Sequence, residues 1–265
     1  MPELPDVEVR KRMLESTSLG KKIVRVSVLE KRVLGENTTP AILSKGLKDS
    51  VFKSVKRRGK YLLIRTNRDK ILLIHLGMSG DLIFREKSRE KPKWSRVEFY
   101  FGDGSCLHYI NIRLIGKVAL FETLDDSKIQ EIAKLGPEPL ERAFTFAKFA
   151  SLVRSHSTSI HQLLMTQELI AGIGNIYSDE ITFQAGVLPF RNTETLTEAE
   201  IKKLYDEMKR VLRTAIKLGA DLDPYPERFL IPNRIKGGTC PRDGTPVKSK
   251  KIGGRTSYFC PACQK

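Results

Sequence analysis

The sequence predicts an α+β chain in several domains: an N-terminal helix with an antiparallel β-sandwich or barrel, then a helical region, then a short cysteine-bearing hairpin. Three observations carry this. The apolar period is two from about residue 22 to 122, it turns helical after Asp125-Asp126-Ser127, and from about residue 236 the chain is basic and holds two pairs of spaced metal-ligand side chains. The expected domains are residues 1–125, 126–235 and 236–265.

Residues 5–18 read as a helix, with Pro5 early, Asp6 and Glu8 in the first turn and Gly20 just past the end. Val24, Val26 and Val28 alternate with Arg25 and Ser27, and the runs at 61–64, 71–74 and 97–101 are strand-like. Gly77, Gly80 and Gly102-Asp103-Gly104 mark turns between them. Helical patterns then cover roughly 127–135, 145–154, 159–166, 175–185 and 197–217. The break at Ala171-Gly172-Ile173-Gly174-Asn175 is either a tight helix-helix connection or a turn that aims backbone N–H groups at a phosphate. Gly253-Gly254 forms a turn within the C-terminal hairpin.

The balance of 47 Lys+Arg against 31 Asp+Glu, a net charge of +16, points to a polyanionic partner, nucleic acid ahead of an anionic membrane surface. No stretch approaches the roughly 18 apolar residues of a membrane span and no apolar signal region follows the N-terminus, so a soluble cytoplasmic protein is expected. Four cysteines are too few for a secreted disulfide framework, and Cys106, standing alone, is expected in the core.

The opening Met1-Pro2-Glu3-Leu4-Pro5 has chemical potential. Removal of Met1 leaves a secondary amine beside a carboxylate. An α-amine has a pKa of roughly 7.7–8.0 against about 10.4 for lysine, so near neutrality it is far more often the free nucleophile. Such an amine can attack a carbonyl-like carbon and hold the product as an iminium. Cys240-Pro-Arg-Asp243 and Cys260-Pro-Ala-Cys263 are two knuckles separated by sixteen residues, the frame of a zinc ribbon in which aspartate replaces one thiol. One structural Zn2+ on Cys240, Asp243, Cys260 and Cys263 is expected, and no organic cofactor. The four histidines, at 75, 108, 156 and 161, have no paired metal spacing.

Two basic clusters suit phosphate contact. Lys53, Lys56, Arg57, Arg58 and Lys60 crowd before a strand and repel one another unless an anion is near; Arg85, Lys87, Arg89, Lys91, Lys93 and Arg96 surround Trp94. Met78 sits on the glycine-flanked turn His75-Leu76-Gly77-Met78-Ser79-Gly80, where methionine is either core filler or a wedge between bases.

Together these motifs resemble the formamidopyrimidine-DNA glycosylase and endonuclease VIII family of base-excision repair enzymes. The resemblance rests on residues 2–8, Arg57-Arg58-Gly59-Lys60-Tyr61, the Met78 turn, Gly172-Ile173-Gly174-Asn175-Ile176-Tyr177-Ser178-Asp179-Glu180, and Gly254-Arg255 followed by the second knuckle. It implies an N-terminal β-sandwich, a helix-two-turn-helix domain, a zinc-finger hairpin, and a bifunctional DNA glycosylase and AP lyase that acts as a monomer on damaged double-stranded DNA. By the same resemblance Pro2 is the Schiff-base nucleophile at C1′ and Glu3 moves the proton that opens the sugar. Lys60 assists β-elimination and Arg255 δ-elimination at the phosphates. Asn175 holds the backbone, and Met78 and Arg113 fill the space left by the extruded base. The other readings are a non-catalytic binder of damaged or abasic DNA, and an RNA-binding ribbon protein.

The sequence departs from the family pattern at several points. Asn111-Ile112-Arg113-Leu114-Ile115-Gly116 keeps the arginine but replaces a stacking phenylalanine with Ile115. Trp94 stands where a phosphate-binding histidine is common and His156 where a lysine is common; both are expected to contact DNA. Residues 219–238 lack the long loop that covers oxidised guanine in the formamidopyrimidine branch, which leaves the lesion and the opposite base unassigned.

Overall fold

The computed structural model describes residues 1–86, 90–221 and 225–265. They form two compact units, residues 1–2 with 6–133 and residues 3–5 with 134–265. Lys87 and Arg89 of the second basic cluster lie outside the described residues, as do Leu222, Asp223 and Pro224 of the lesion-side segment.

The first unit is the expected sandwich. Helix α1 (Leu4–Thr17) precedes β1 (Ile23–Val28), and β2 (Phe52–Arg58), β3 (Tyr61–Thr66), β4 (Ile71–His75), β5 (Gly80–Arg85), β6 (Ser95–Phe101), β7 (Cys106–Asn111) and β8 (Lys117–Phe121) complete two four-stranded sheets. Their orders are β1-β6-β7-β5 and β2-β3-β4-β8, and every pairing is antiparallel. Phe52 of one sheet meets Phe99 and Phe101 of the other edge-on, with ring centres 6.1 Å apart in both pairs. The sheets therefore share one core, to which α1 adds Val7 and Leu14. Cys106 is buried as expected, and burial pushes its thiol up to about 12.

The alternating valines of β1 do not all face inward. A register shift between Ile23 and Arg25 turns Val24 out to 42% exposure while Val26 stays buried. An inserted residue in one strand flips the side chains that follow it. A second difference is helix α2 (Pro40–Leu47), embedded in the region of period two. Thr39 caps it by accepting the Ile42 N–H, Pro40 occupies the first turn, and Leu43 and Leu47, four residues apart, enter the core.

The expected helix over 127–135 is reduced to a tight turn and α3 (Gln130–Ala133), because Gly136-Pro137 cannot extend it. The second unit is built on α4 (Phe146–Arg154), α5 (Ile160–Met165), α6 (Asn175–Ala185) and α7 (Glu198–Lys217), close to the expected spans. A Thr197–Glu200 capping box starts α7, which buries Ile201, Leu204, Met208, Val211 and Leu212 along one face. Helix α6 is buried from Tyr177 to Ala185 and is the centre of the unit. Strands β9 (Lys248–Ile252) and β10 (Arg255–Phe259) form the C-terminal hairpin, whose Val247, Cys240 and Cys260 share a cluster with Phe183 of α6. Among the described residues no helix is long and apolar enough to cross a membrane.

Candidate functional site

The N-terminal carboxylate is locked in place. Glu3 is 1% exposed, and its carboxylate accepts the backbone N–H groups of Gly174 at 2.7 Å, Ile176 at 2.9 Å and Tyr177 at 3.3 Å. These are donors at the start of α6, where no side chain of the helix provides a cap. A carboxylate there satisfies orphan N–H groups and meets the positive end of the helix dipole. The Leu4 N–H bonds Gly172 O at 2.9 Å, and Leu4 belongs to the core of the second unit. The glycine turn thus aims its Gly174 N–H, with those of Ile176 and Tyr177, at Glu3, so of the two sequence readings of this break these three N–H groups do not serve the phosphate cradle. A chain-internal anion already fills that position.

Asn175, first residue of α6, donates through Nδ2 to Thr256 O at 2.9 Å and accepts at Oδ1 from His161 Nε2 at 3.1 Å. Behind it, the fully buried Asp179 accepts from Ser257 Oγ, from Tyr258 N at 3.0 Å and from Arg234 Nε at 2.6 Å. Arg234 also reaches Asn175 O and Thr256 O. This network ties the start of α6 to β10, and so fixes the strand that begins with the exposed Arg255 after the Gly253-Gly254 turn. Sequence reasoning quoted Asp179 but gave it no role and missed His161 and Arg234. Its available signal was the adjacent acidic pair Asp179-Glu180 in the middle of a helical run whose polar and apolar residues do not separate onto two faces.

The C-terminal knuckles close on one another. Ligand atoms of Cys240, Asp243, Cys260 and Cys263 all lie within 4.8 Å of one another. The Cys240 and Cys263 sulfurs are 3.7 Å apart, Cys260 Sγ lies 3.8 Å from Asp243 Oδ1, and Cys263 Sγ lies 3.1 Å from Asp243 Oδ2. Two thiolates on a tetrahedral ion at about 2.3 Å stand roughly 3.8 Å apart, so the donor set fits a metal. In the absence of a cation, burial and then the facing Asp243 carboxylate raise the Cys263 thiol far above its ordinary value. A cation at the centre reverses that preference.

In the first unit, the fully buried Asn111 ties together the segments that carry Met78, Trp94 and Arg113. Its Nδ2 donates to Leu76 O at 3.2 Å and to Tyr109 Oη at 2.9 Å, and its Oδ1 accepts the Leu114 N–H at 2.8 Å. Its backbone N–H bonds Trp94 O, and its carbonyl accepts Arg96 Nε at 2.8 Å. The Arg113 N–H donates to Ser79 Oγ at 2.9 Å, next to Met78. The two loops also touch at Gly77, where a Cβ would lie 2.6 Å from the Ile115 carbonyl. Arg113 is exposed, Met78 half-buried, and Trp94 is 43% exposed in a left-handed conformation with φ 66°. Sequence reasoning treated Asn111 only as a departure from a pattern.

Lys60 follows the Gly59 turn between β2 and β3, and its charge helps lower His75 to about 4, after the larger effect of burial. Its neighbours in the first basic cluster find partners within the chain: Arg57 pairs with Glu8 at 2.9 Å and Lys56 with Asp126 at 2.8 Å. The anions that this run was expected to need from outside are, for these two, carboxylates of the same unit. In the second cluster Lys91 pairs with buried Glu98 at 3.1 Å, and Lys93 and Arg96 flank the Trp94 ring. His156 lies two residues beyond α4, with Nδ1 2.9 Å from Leu152 O.

The family model of the formamidopyrimidine-DNA glycosylase N-terminal domain matches residues 1–118, and that of its H2TH domain matches residues 135–223. The chain is 34% identical to a formamidopyrimidine-DNA glycosylase of Listeria innocua, covering all of both chains. It is 36% identical to that of Symbiobacterium thermophilum, covering all of this chain and 89% of the relative. Among solved structures it is similar to the Lactococcus lactis enzyme bound non-covalently to DNA containing an AP site (31% identity, TM-score 0.87, 99% of each chain). It is likewise similar to the wild-type L. lactis enzyme with DNA containing an oxidised pyrimidine (31% identity, TM-score 0.89, 100% of each chain). With full-length coverage, the matched domains and the cysteine-bearing hairpin together, the chain belongs to the formamidopyrimidine-DNA glycosylase family.

Proposed function

We propose that this protein excises oxidised bases from double-stranded DNA and cleaves the resulting abasic site, with Pro2 as the nucleophile once Met1 is removed. The observation that carries the reading is Glu3, held at one orientation by three backbone N–H groups directly beside Pro2 in the chain. A mere loose end needs no such anchoring. The Pro2 nitrogen attacks C1′, the glycosidic bond breaks with its electron pair leaving on the base, and Glu3 carries the proton that opens the sugar. The resulting iminium acidifies the C2′ hydrogen; its loss expels the 3′ phosphate, and a second elimination expels the 5′ phosphate. Lys60 assists the first elimination. Arg255, at the start of a strand fixed by the Asn175 and Asp179 bonds to β10, grips phosphate and assists the second.

Met78 and Arg113, braced by Ser79 and Asn111, fill the space left by the extruded base, while Trp94, His156 and Asn175 contact the DNA strand. Flipping costs a few kcal/mol, which wedge and phosphate contacts offset. A Zn2+ on Cys240, Asp243, Cys260 and Cys263 supplies a rigid cross-link between the knuckles, and the protein works as a monomer.

Borohydride reduction of the protein with duplex DNA carrying an abasic site tests the reading. The correctly processed chain is expected to form a covalent adduct, and a chain with a tag before Pro2 to bind DNA without forming one. Binding with no adduct from processed protein would instead support a non-catalytic binder of damaged DNA. Base release and strand cleavage across duplexes with oxidised purines, oxidised pyrimidines or abasic sites ranks the lesions.

A further inference from the structure

The second unit contains a cavity of about 480 Å³ lined by Gln184, Arg210, Glu227, Arg228, Phe229 and Arg242, none of which the proposed chemistry uses. We propose that it is a binding site for a phosphate-class oxyanion. The key atom is Gln184 Oε1, which accepts an N–H from Arg210 at 2.8 Å and another from Arg242 at 2.8 Å. Two guanidinium cations therefore converge on a single neutral acceptor. Gln184 is 7% exposed, and its Nε2 is spent on Glu180 Oε1 at 2.7 Å and Arg228 O at 3.0 Å, so the amide cannot turn to relieve the repulsion.

Aromatic rings hold both guanidiniums in place. Arg210 lies over Phe229 at 5.3 Å and Arg242 over Phe183 at 4.2 Å. Arg210 is partly neutralised by Glu207 through Nε at 2.6 Å, and Glu227 adds one carboxylate to the lining. The Arg242 guanidinium pairs with no carboxylate among the described residues, and Arg228 adds a third cation. Glu180, behind Gln184, is a weak counter-charge near neutrality, since burial pushes it up to about 7. Each guanidinium carries five N–H donors, most of them still uncommitted. Convergent, pre-oriented arginines around a concavity match the three acceptor oxygens of phosphate, whether free in solution or in a nucleic-acid backbone. The site draws on α6, α7, the 226–229 segment and the first knuckle, and it stands whether or not Pro2 is a nucleophile.

Calorimetric titration with inorganic phosphate, against chloride of equal ionic strength, is expected to show saturable binding that R210Q and R242Q each weaken tenfold or more. K217Q, which removes an exposed charge elsewhere on α7, is expected to leave it unchanged. If phosphate alone does not bind but R210Q and R242Q each lower the log-log salt slope of duplex-DNA affinity by about one, the occupant is a backbone phosphate. Neither effect, or an equal loss in K217Q, overturns the proposal. Melting in chloride confirms that each variant folds, and abasic-site trapping is scored separately so that loss of catalysis is not mistaken for loss of this site.

Discussion

Glu3 and Gly174 are fitted to each other: the Gly174 N–H reaches the Glu3 carboxylate at 2.7 Å, and a Cβ on Gly174 would lie 2.4 Å from the Glu3 carboxyl carbon. The contact joins the residue beside the proposed nucleophile to the start of the central helix of the second unit. Any side chain at 174 must push Glu3 away.

Gly174→Ala is therefore expected to lower base excision by tenfold or more while duplex-DNA affinity changes little. Single-turnover base release set beside a binding isotherm checks it. Equal activity in the variant would detach Glu3 from the chemistry. Glu3→Gln keeps the volume but puts an NH2 where a second acceptor is needed, and is expected to cost about 1.5–3 kcal/mol of stability through the lost charge-assisted bonds.

Asn111→Ala removes the bonds that brace the Met78 and Arg113 loops: the Leu114 N–H loses its Asn111 acceptor, and the buried Leu76 carbonyl loses one of its two donors, keeping only the Gly80 N–H. The expected destabilisation is about 1–3 kcal/mol. Because the loss falls on loop placement, discrimination between lesion-bearing and intact duplex should fall as well. Chemical denaturation and paired affinities measure the two effects, and an unchanged discrimination ratio would limit Asn111 to stability.

Metal analysis is expected to return one zinc per chain. Asp243→Cys, which restores a fourth thiolate, should retain it, whereas Asp243→Ala should lose affinity for it and for DNA together. Zinc-free wild-type protein with full DNA affinity would remove the metal from the hairpin's architecture.

The two units are expected to respond to acid in opposite ways. Burial, then Lys60 and Lys117, lower His75 to about 4 in the first unit, whereas burial raises Glu180 to about 7 in the second. Unfolded values are roughly 6.5 and 4.3. Between about pH 4 and 6.5 the folded first unit binds fewer protons than its unfolded chain, so His75 makes it less stable as pH falls. Between about 4.3 and 7 the folded second unit binds more, so Glu180 makes it more stable as pH falls. Amide exchange corrected for intrinsic rates should show the β3–β4 pair losing protection and α6 gaining it from pH 7 to 5. His75→Gln should flatten the first trend and Glu180→Gln the second; unaltered trends in these variants would reassign them to other groups.

Lys60, Arg113 and Arg255 to alanine should each flatten the log-log salt dependence of DNA affinity by about one or less. A residue whose removal leaves the slope unchanged makes no phosphate contact.

Much of this was legible in the chain itself. Period-two runs separated by glycine turns foretold the strands of the sandwich, the helical pattern after residue 126 foretold α4 to α7, and the spacing of Cys240, Asp243, Cys260 and Cys263 foretold their cluster. These features are local, set by backbone preferences and by side-chain period within a few residues. The short motifs likewise pointed to the family that full-length similarity establishes. Helix α2 was hidden because its eight residues are too few to display a period against the strands around it. The bulge that turns Val24 outward depends on pairing with β6, a partner more than seventy positions away.

What only the tertiary structure decided is where polar groups go when they are buried. The sequence placed Pro2-Glu3 and the glycine turn among the motifs of one family without joining them, and one of its two readings offered the turn to a phosphate; folding brings Glu3 across 171 positions to occupy it. Asn111, Asp179 and Gln184 each take partners distant in sequence, and no spacing along the chain names those partners. A buried polar atom must be satisfied wherever the fold places it, so its partners are chosen by three-dimensional proximity and not by spacing along the chain.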